Sequence, residues 1–108
     1  MTELRELELR GASAVTNVDA LAPLTKLKAL TIEGFRTIED PSPIGGLRAL
    51  IDLELGGAWM TPRNGHVSSI RFLLDLTRVQ TVLLHTLIVD DLDYSPLLHL
   101  PRLKSVRV

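Results

Sequence analysis

An apolar pattern of the form L-x-x-L-x-L recurs five times along the chain, and its near-constant spacing constrains the fold more than any other feature. The copies are Leu4/Leu7/Leu9, Leu27/Leu30/Ile32, Leu50/Leu53/Leu55, Val79/Val82/Leu84 and Leu103/Val106/Val108, with starts 23, 23, 29 and 24 residues apart. A repeat of this length cannot bury its own apolar face, so the copies must stack and shield one another. The last two apolar residues of each copy lie two apart and project to the same side of a strand. They are predicted to face inward, and the residues between and beside them to line an open face.

After each strand a turn leads to a second apolar run that closes the coil. In the first unit that run is Val15, Val18, Leu21 and Leu24. In the second it is Ile38, Ile44 and Leu47, with Pro41 in the matching slot. A spacing of three predicts short 3₁₀ or loose turns rather than long helices. Asp19, Ser42 and Ser95 each stand eight residues before the next motif and are followed by Ala20, Pro43 and Pro96. A side chain that caps free N–H groups, then a residue preset for the first helical position, predicts a helix start at each.

Gly11, Gly34 and Gly57 fall seven residues after their unit starts, where glycine lets the chain turn sharply off the strand. Thr86 holds that slot in the fourth unit, which predicts a different turn there. The third unit is six residues longer, and the extra length lies within Gly56–His66. Turn residues dominate this stretch and predict a projecting loop. The following Val67–Leu76 carries Ile70, Leu73, Leu74 and Leu76 at helical spacing, which predicts an α-helix on the convex side starting near Asn64 or Ser68.

Composition narrows the class further. Apolar residues make up 45% and aromatic ones 4%, so the core must be aliphatic. Cysteine is absent, which excludes disulfides. The opening Met1-Thr2-Glu3-Leu4-Arg5-Glu6 has no basic and then apolar run of a signal peptide. No apolar stretch approaches the roughly 20 residues needed to cross a bilayer. A net charge of -1 argues against a dedicated nucleic-acid binder. The expectation is a cytoplasmic protein with neither a nucleic-acid nor a membrane partner.

With its five in-phase motifs, and the Ser-Pro-Ile and Ser-Pro-Leu helix starts at Ser42 and Ser95, the chain resembles the leucine-rich-repeat proteins over almost its whole length. The likeness is greatest to bacterial short-repeat forms with an internalin-like period. The resemblance implies an α/β solenoid in one domain, residues 1–108, with units starting near 4, 27, 50, 79 and 103. It implies a right-handed arc with a five-stranded parallel concave sheet and short helices or 3₁₀ turns on the convex side. Such folds are typically used to bind proteins. Three departures stand out. Ala12, Phe35, Ala58 and Leu87 occupy slots where many family members carry a ladder of Asn side chains. The inserted loop breaks the period. Neither the first nor the last motif carries a capping element.

The strand phase assigns Glu6, Glu8, Glu33, Asp52, Glu54 and His85 to the concave face. Carboxylates on parallel strands about 4.8 Å apart create a local negative field. One reading is a site for a basic peptide or protein; the other is a solvated face balanced by Arg5, Arg10 and Lys28. The inserted loop carries Trp59, Met60 and Arg63, and Trp and Arg are frequent interface anchors. Trp59 folding back over Phe35 is the alternative. Asp90, Asp91 and Asp93 crowd the fourth turn but lack the ligand number and glycine of a calcium loop, so cap and turn roles are expected. His66, His85 and His99 lie on different units without paired-ligand spacing. There is no phosphate loop, no G-x-S-x-G and no H-E-x-x-H, so neither an enzyme nor a cofactor is expected.

The expected function is a non-catalytic protein-interaction module using the concave face and loop 56–66. The alternative is a structural or oligomerising repeat subunit that stacks through its terminal strands. A bare last strand exposes backbone and core at Val106 and Val108. A homodimer joined at that edge would cover it, and so would a cap supplied by another protein.

Overall fold

The computed structural model describes residues 3–57 and 64–107. Within them the five motifs form five parallel strands, and each takes its place beside the previous one. They are β1 (Glu6–Leu9), β2 (Ala29–Glu33), β4 (Asp52–Gly56), β6 (Thr81–His85) and β8 (Ser105–Arg107), in the spatial order β1-β2-β4-β6-β8. Their register follows the repeat, with Leu7 opposite Leu30, Leu30 opposite Leu53, Leu53 opposite Val82 and Val82 opposite Val106. In-register pairing of equivalent positions is what one supersecondary unit stacked on its copy must give, because any slip would turn the leucines to water.

The core is built from columns. Leu27, Leu50 and Val79 form one, Leu30, Leu53 and Val82 a second, and Ile32, Leu55 and Leu84 a third, each at most 2% exposed. The second apolar run closes each coil as the spacing requires: Ile38, Ile44 and Leu47 are fully buried, and Val18 and Leu21 nearly so. The helical elements are short 3₁₀ turns at Asp19–Leu21, Ser42–Gly46, Arg71–Asp75 and Ser95–His99. The architecture is thus a leucine-rich-repeat solenoid of the α/β class.

A second, narrow ladder accompanies the main sheet. β3 (Thr37–Ile38), β5 (Gly65–Val67) and β7 (Leu87–Val89) pair in parallel, with Ile38 opposite Val67 and Val67 opposite Val89. This overturns the α-helix expected over Val67–Leu76. Its first residue belongs to β5, and its remainder contains the 3₁₀ turn Arg71–Asp75. The buried members Ile70, Leu73 and Leu76 recur every three residues, whereas Leu74, which suggested a helical period, is 47% exposed. The true period is that of a 3₁₀ turn.

The capping residues also differ from expectation. Asp19, Ser42 and Ser95 do not cap; their own amides are capped, by side chains two residues earlier. Asn17 Oδ1 accepts from Asp19 N at 3.3 Å, Asp40 Oδ1 from Ser42 N at 3.1 Å and Asp93 Oδ1 from Ser95 N at 3.0 Å. Ser69 Oγ does the same for Arg71 N at 3.0 Å. All four cap residues stand ten positions before the next strand motif. The acids of the fourth turn take turn roles: Asp91 Oδ1 accepts from Asp93 N at 2.9 Å, and Asp90 Oδ1 lies 2.8 Å from His66 Nδ1.

The turns off β1, β2 and β6 share one conformation. Gly11 has φ of 64° and Gly34 of 91°, and Thr86, in the equivalent slot, has φ of 45°. The fourth turn therefore takes the conformation of the first two; a β-branched residue is held in the left-handed region. Where an Asn ladder is missing, the neighbouring rung's backbone satisfies the turn amides. Ala12 N donates to Glu33 O at 3.0 Å and Gly34 N to Gly56 O at 2.9 Å. The insertion is closed at its base, since Gly57 N reaches Thr86 O at 3.2 Å and Gly65 N the same oxygen at 2.7 Å.

Candidate functional site

Strand alternation sends every second residue of the main sheet to its open face, and the register sorts these residues into rows. One row is Glu6, Ala29, Asp52, Thr81 and Ser105; the next is Glu8, Thr31, Glu54, Leu83 and Arg107. The four carboxylates do not form a continuous strip, because Ala29 and Thr31 of β2 separate those of β1 from those of β4. Between the rows lies a shallow depression of about 200 Å³, bordered by Thr31, Asp52, Glu54, Thr81 and Leu83. Its acidic side is organised: Thr81 Oγ1 donates to Asp52 Oδ1 at 2.5 Å, and Glu54 Oε2 lies 3.1 Å from His85 Nε2.

The remaining predicted residues play a more interior part. Glu33 is only 9% exposed and its Oε2 accepts from Gly11 N at 3.2 Å, tying β2 to the first turn. The His85 side chain is also 9% exposed. Its ring lies over Gly56, where an added Cβ would collide with three ring atoms, so only glycine on β4 leaves the ring room. Nε2 lies 3.1 Å from the Glu54 carboxylate and Nδ1 3.0 Å from Thr86 Oγ1, so the ring bridges the two. The chain Thr86–His85–Glu54 fixes the Glu54 carboxylate, which stays 22% exposed toward the depression. At the β1 end, Glu8 is exposed and meets Arg10 Nε at 3.4 Å.

The structure thus gathers Asp52, Glu54 and His85 into one feature, leaves Glu6 and Glu8 apart on β1, and assigns Glu33 to a turn. Trp59, Met60, Arg63 and Val108 lie outside the described residues. Sequence reasoning missed Thr81 and Thr86, which hold the two acids in place. Their signal was positional: Thr81 occupies the slot of Asp52 one unit on, and Thr86 the turn slot of Gly34. Chemically, fixed carboxylate oxygens beside the side chains of Ala29 and Leu83 suit a cationic head or N–H donors of an apolar-flanked peptide. Among the described residues no group of three His, Cys, Asp or Glu side chains has the arrangement of a metal site. No described helix is long and apolar enough to cross a membrane.

No family model and no curated protein matches the chain. Among solved structures it is similar to internalin C2 from Listeria monocytogenes, with 26% identity and a TM-score of 0.62. The match covers 86% of this chain and 39% of that one, so the chain spans well under half of that protein's length. The likeness supports the leucine-rich-repeat fold.

Proposed function

We propose that the chain binds a protein partner through the open face of its main sheet, with Asp52 and Glu54 at the centre and the inserted loop 56–66 alongside. The observation that carries this reading is the preorganised pair of carboxylates at the edge of the depression, Asp52 held by Thr81 and Glu54 by His85. Groups fixed before binding lose little freedom when a partner arrives. The described ends of the insertion, Gly57 and Gly65, both donate to the carbonyl of Thr86, next to His85. A basic segment fits this chemistry, with Glu6 and Glu8 adding attraction from β1.

A second reading is favoured by the last rung. Val106, in a column whose inner members are nearly fully buried, is 42% exposed, and Leu98 is 83% exposed. A further rung, or a second copy meeting this edge, would cover them.

One titration separates the two. A fluorescein-labelled peptide of alternating Lys and Leu is titrated with the parent, with the double variant Glu8→Lys/Glu54→Lys and with Val106→Asp, all checked for folding by circular dichroism. The first reading expects salt-sensitive binding that weakens about tenfold or more in the double variant and is unchanged in Val106→Asp. Equal binding by the double variant and the parent would remove the open face from consideration.

A further inference from the structure

The two positions that flank each motif's first apolar residue lie on one edge of the main sheet, where the chain enters each strand. Their charge is predominantly positive. The residues just before it are Glu3, Lys26, Ala49, Arg78 and Arg102; those just after it are Arg5, Lys28, Ile51, Gln80 and Lys104. Six of these ten are cations and one is a carboxylate, although the whole chain is slightly acidic. The backbone locks them into a rail: Lys28 N donates to Arg5 O at 2.7 Å, and Ile51 N to Lys28 O, Gln80 N to Ile51 O and Lys104 N to Gln80 O each at 2.8 Å.

Adjacent rungs are about 4.8 Å apart, so Arg5 beside Lys28 and Arg78 beside Arg102 are like charges on neighbouring rungs, which is destabilising. Among the described residues the one ion pair that relieves the rail is Lys26 Nζ to Glu3 Oε1, at 2.9 Å. A rim kept polar only for solubility would mix both signs. Along the rail lies a cleft of about 280 Å³ lined by Lys28, Ala49, Ile51, Arg78, Gln80 and Arg102. Its two small-to-medium apolar residues sit between the cations, and the Gln80 carboxamide can both donate and accept.

We infer that this rim is a second interaction surface, separate from the open face, and that it takes an extended acidic protein segment: carboxylates against Lys28, Arg78 and Arg102, an apolar side chain between them over Ala49 and Ile51, and the segment's backbone on Gln80. The cleft has no aromatic side chain on which a base would stack, which disfavours single-stranded nucleic acid. The large exposed apolar residues Leu74, Leu92, Tyr94, Leu98 and Val106 do not line the cleft, which disfavours insertion into a lipid surface. The carboxylates of the open face repel the same segment and confine it to the rim.

The test uses a fluorescein-labelled peptide of alternating Glu and Leu, followed by anisotropy at low and moderate salt. The parent should bind it, and Lys28→Gln/Arg78→Gln/Arg102→Gln should bind at least about tenfold more weakly. Glu8→Lys/Glu54→Lys should bind it no more weakly than the parent, which separates failure of this inference from failure of the open-face reading. Amide shifts of the isotope-labelled parent on adding peptide should centre on Lys28, Ile51 and Gln80, a readout that needs no variant. Absence of binding by the parent would overturn the assignment. So would shifts centred on Asp52 and Glu54, or tighter binding of an oligodeoxythymidine or of phosphatidylserine vesicles than of the peptide.

Discussion

At the scale of single residues, Thr86 shows how far the repeat overrides local preference. A β-branched side chain avoids positive φ, yet Thr86 adopts 45° because the turn off β6 must match the turns made by Gly11 and Gly34. Its hydroxyl offsets part of that strain by serving His85 at 3.0 Å. Thr86→Asn removes the branch and keeps a polar side chain that tolerates this conformation. It should stabilise the fold by about 0.5–1 kcal/mol. Thr86→Val keeps the branch and loses the hydroxyl, and should cost about 1–2 kcal/mol. Urea unfolding measures both, and a Val variant as stable as the parent would refute this account of the turn. The sequence made the slot visible but not its occupant's conformation. It predicted a different turn because it weighed the residue's own preference above the geometry that its neighbours impose. The same limit hid the parts of Glu33 and His85: both were placed correctly on the strands, but their burial depends on the turn and the glycine beneath them.

At the scale of elements, the period of the apolar residues was legible, and so were the strands and 3₁₀ turns it dictates. The exception was Val67–Leu76, where Leu74, an exposed leucine, made a three-residue period look helical. The caps were legible in kind but misplaced by two residues, since a Ser-Pro pair marks the turn and the side chain that holds it lies upstream. Two of these caps titrate. The Ser42 hydroxyl, with the Ser42 amide, holds the Asp40 carboxyl below its ordinary value of 3.8, and Ser95 acts in the same way on Asp93. A carboxyl held low binds fewer protons folded than unfolded, so it favours folding above that ordinary value. The gain is lost as the pH falls through the lowered folded value. Asp40→Asn/Asp93→Asn should therefore flatten the fall in urea midpoint between about pH 5 and pH 2 by lowering the neutral-pH midpoint toward the acid one. A double variant whose midpoint falls as steeply as the parent's would refute the caps' titration.

At the scale of the whole molecule, stacking accounts for both stability and surface. Inner rungs are shielded on both sides, which is why Leu30 is 1% and Val82 1% exposed while Val106, in the same column, is 42% exposed. The arrangement was readable because a solenoid repeats one local rule. The surface was less so. The concave residues follow from strand alternation alone, but the depression between β2, β4 and β6 and the cationic rim emerge only when units are laid in register. Charges scattered 20 or more residues apart along the chain, such as Lys28, Arg78 and Arg102, are brought to one cleft by that register.

The central claim is that the five motifs lie in one file, each beside the next. Methyl-to-methyl cross-relaxation in a sample labelled at Leu and Val tests it most directly. The account predicts strong cross-peaks between Leu30 and Leu53 and between Leu53 and Val82, on strands about 4.8 Å apart, and a weak or absent peak between Leu30 and Val82, two strands apart. A strong Leu30–Val82 peak, or none joining Leu53 to either neighbour, would contradict it.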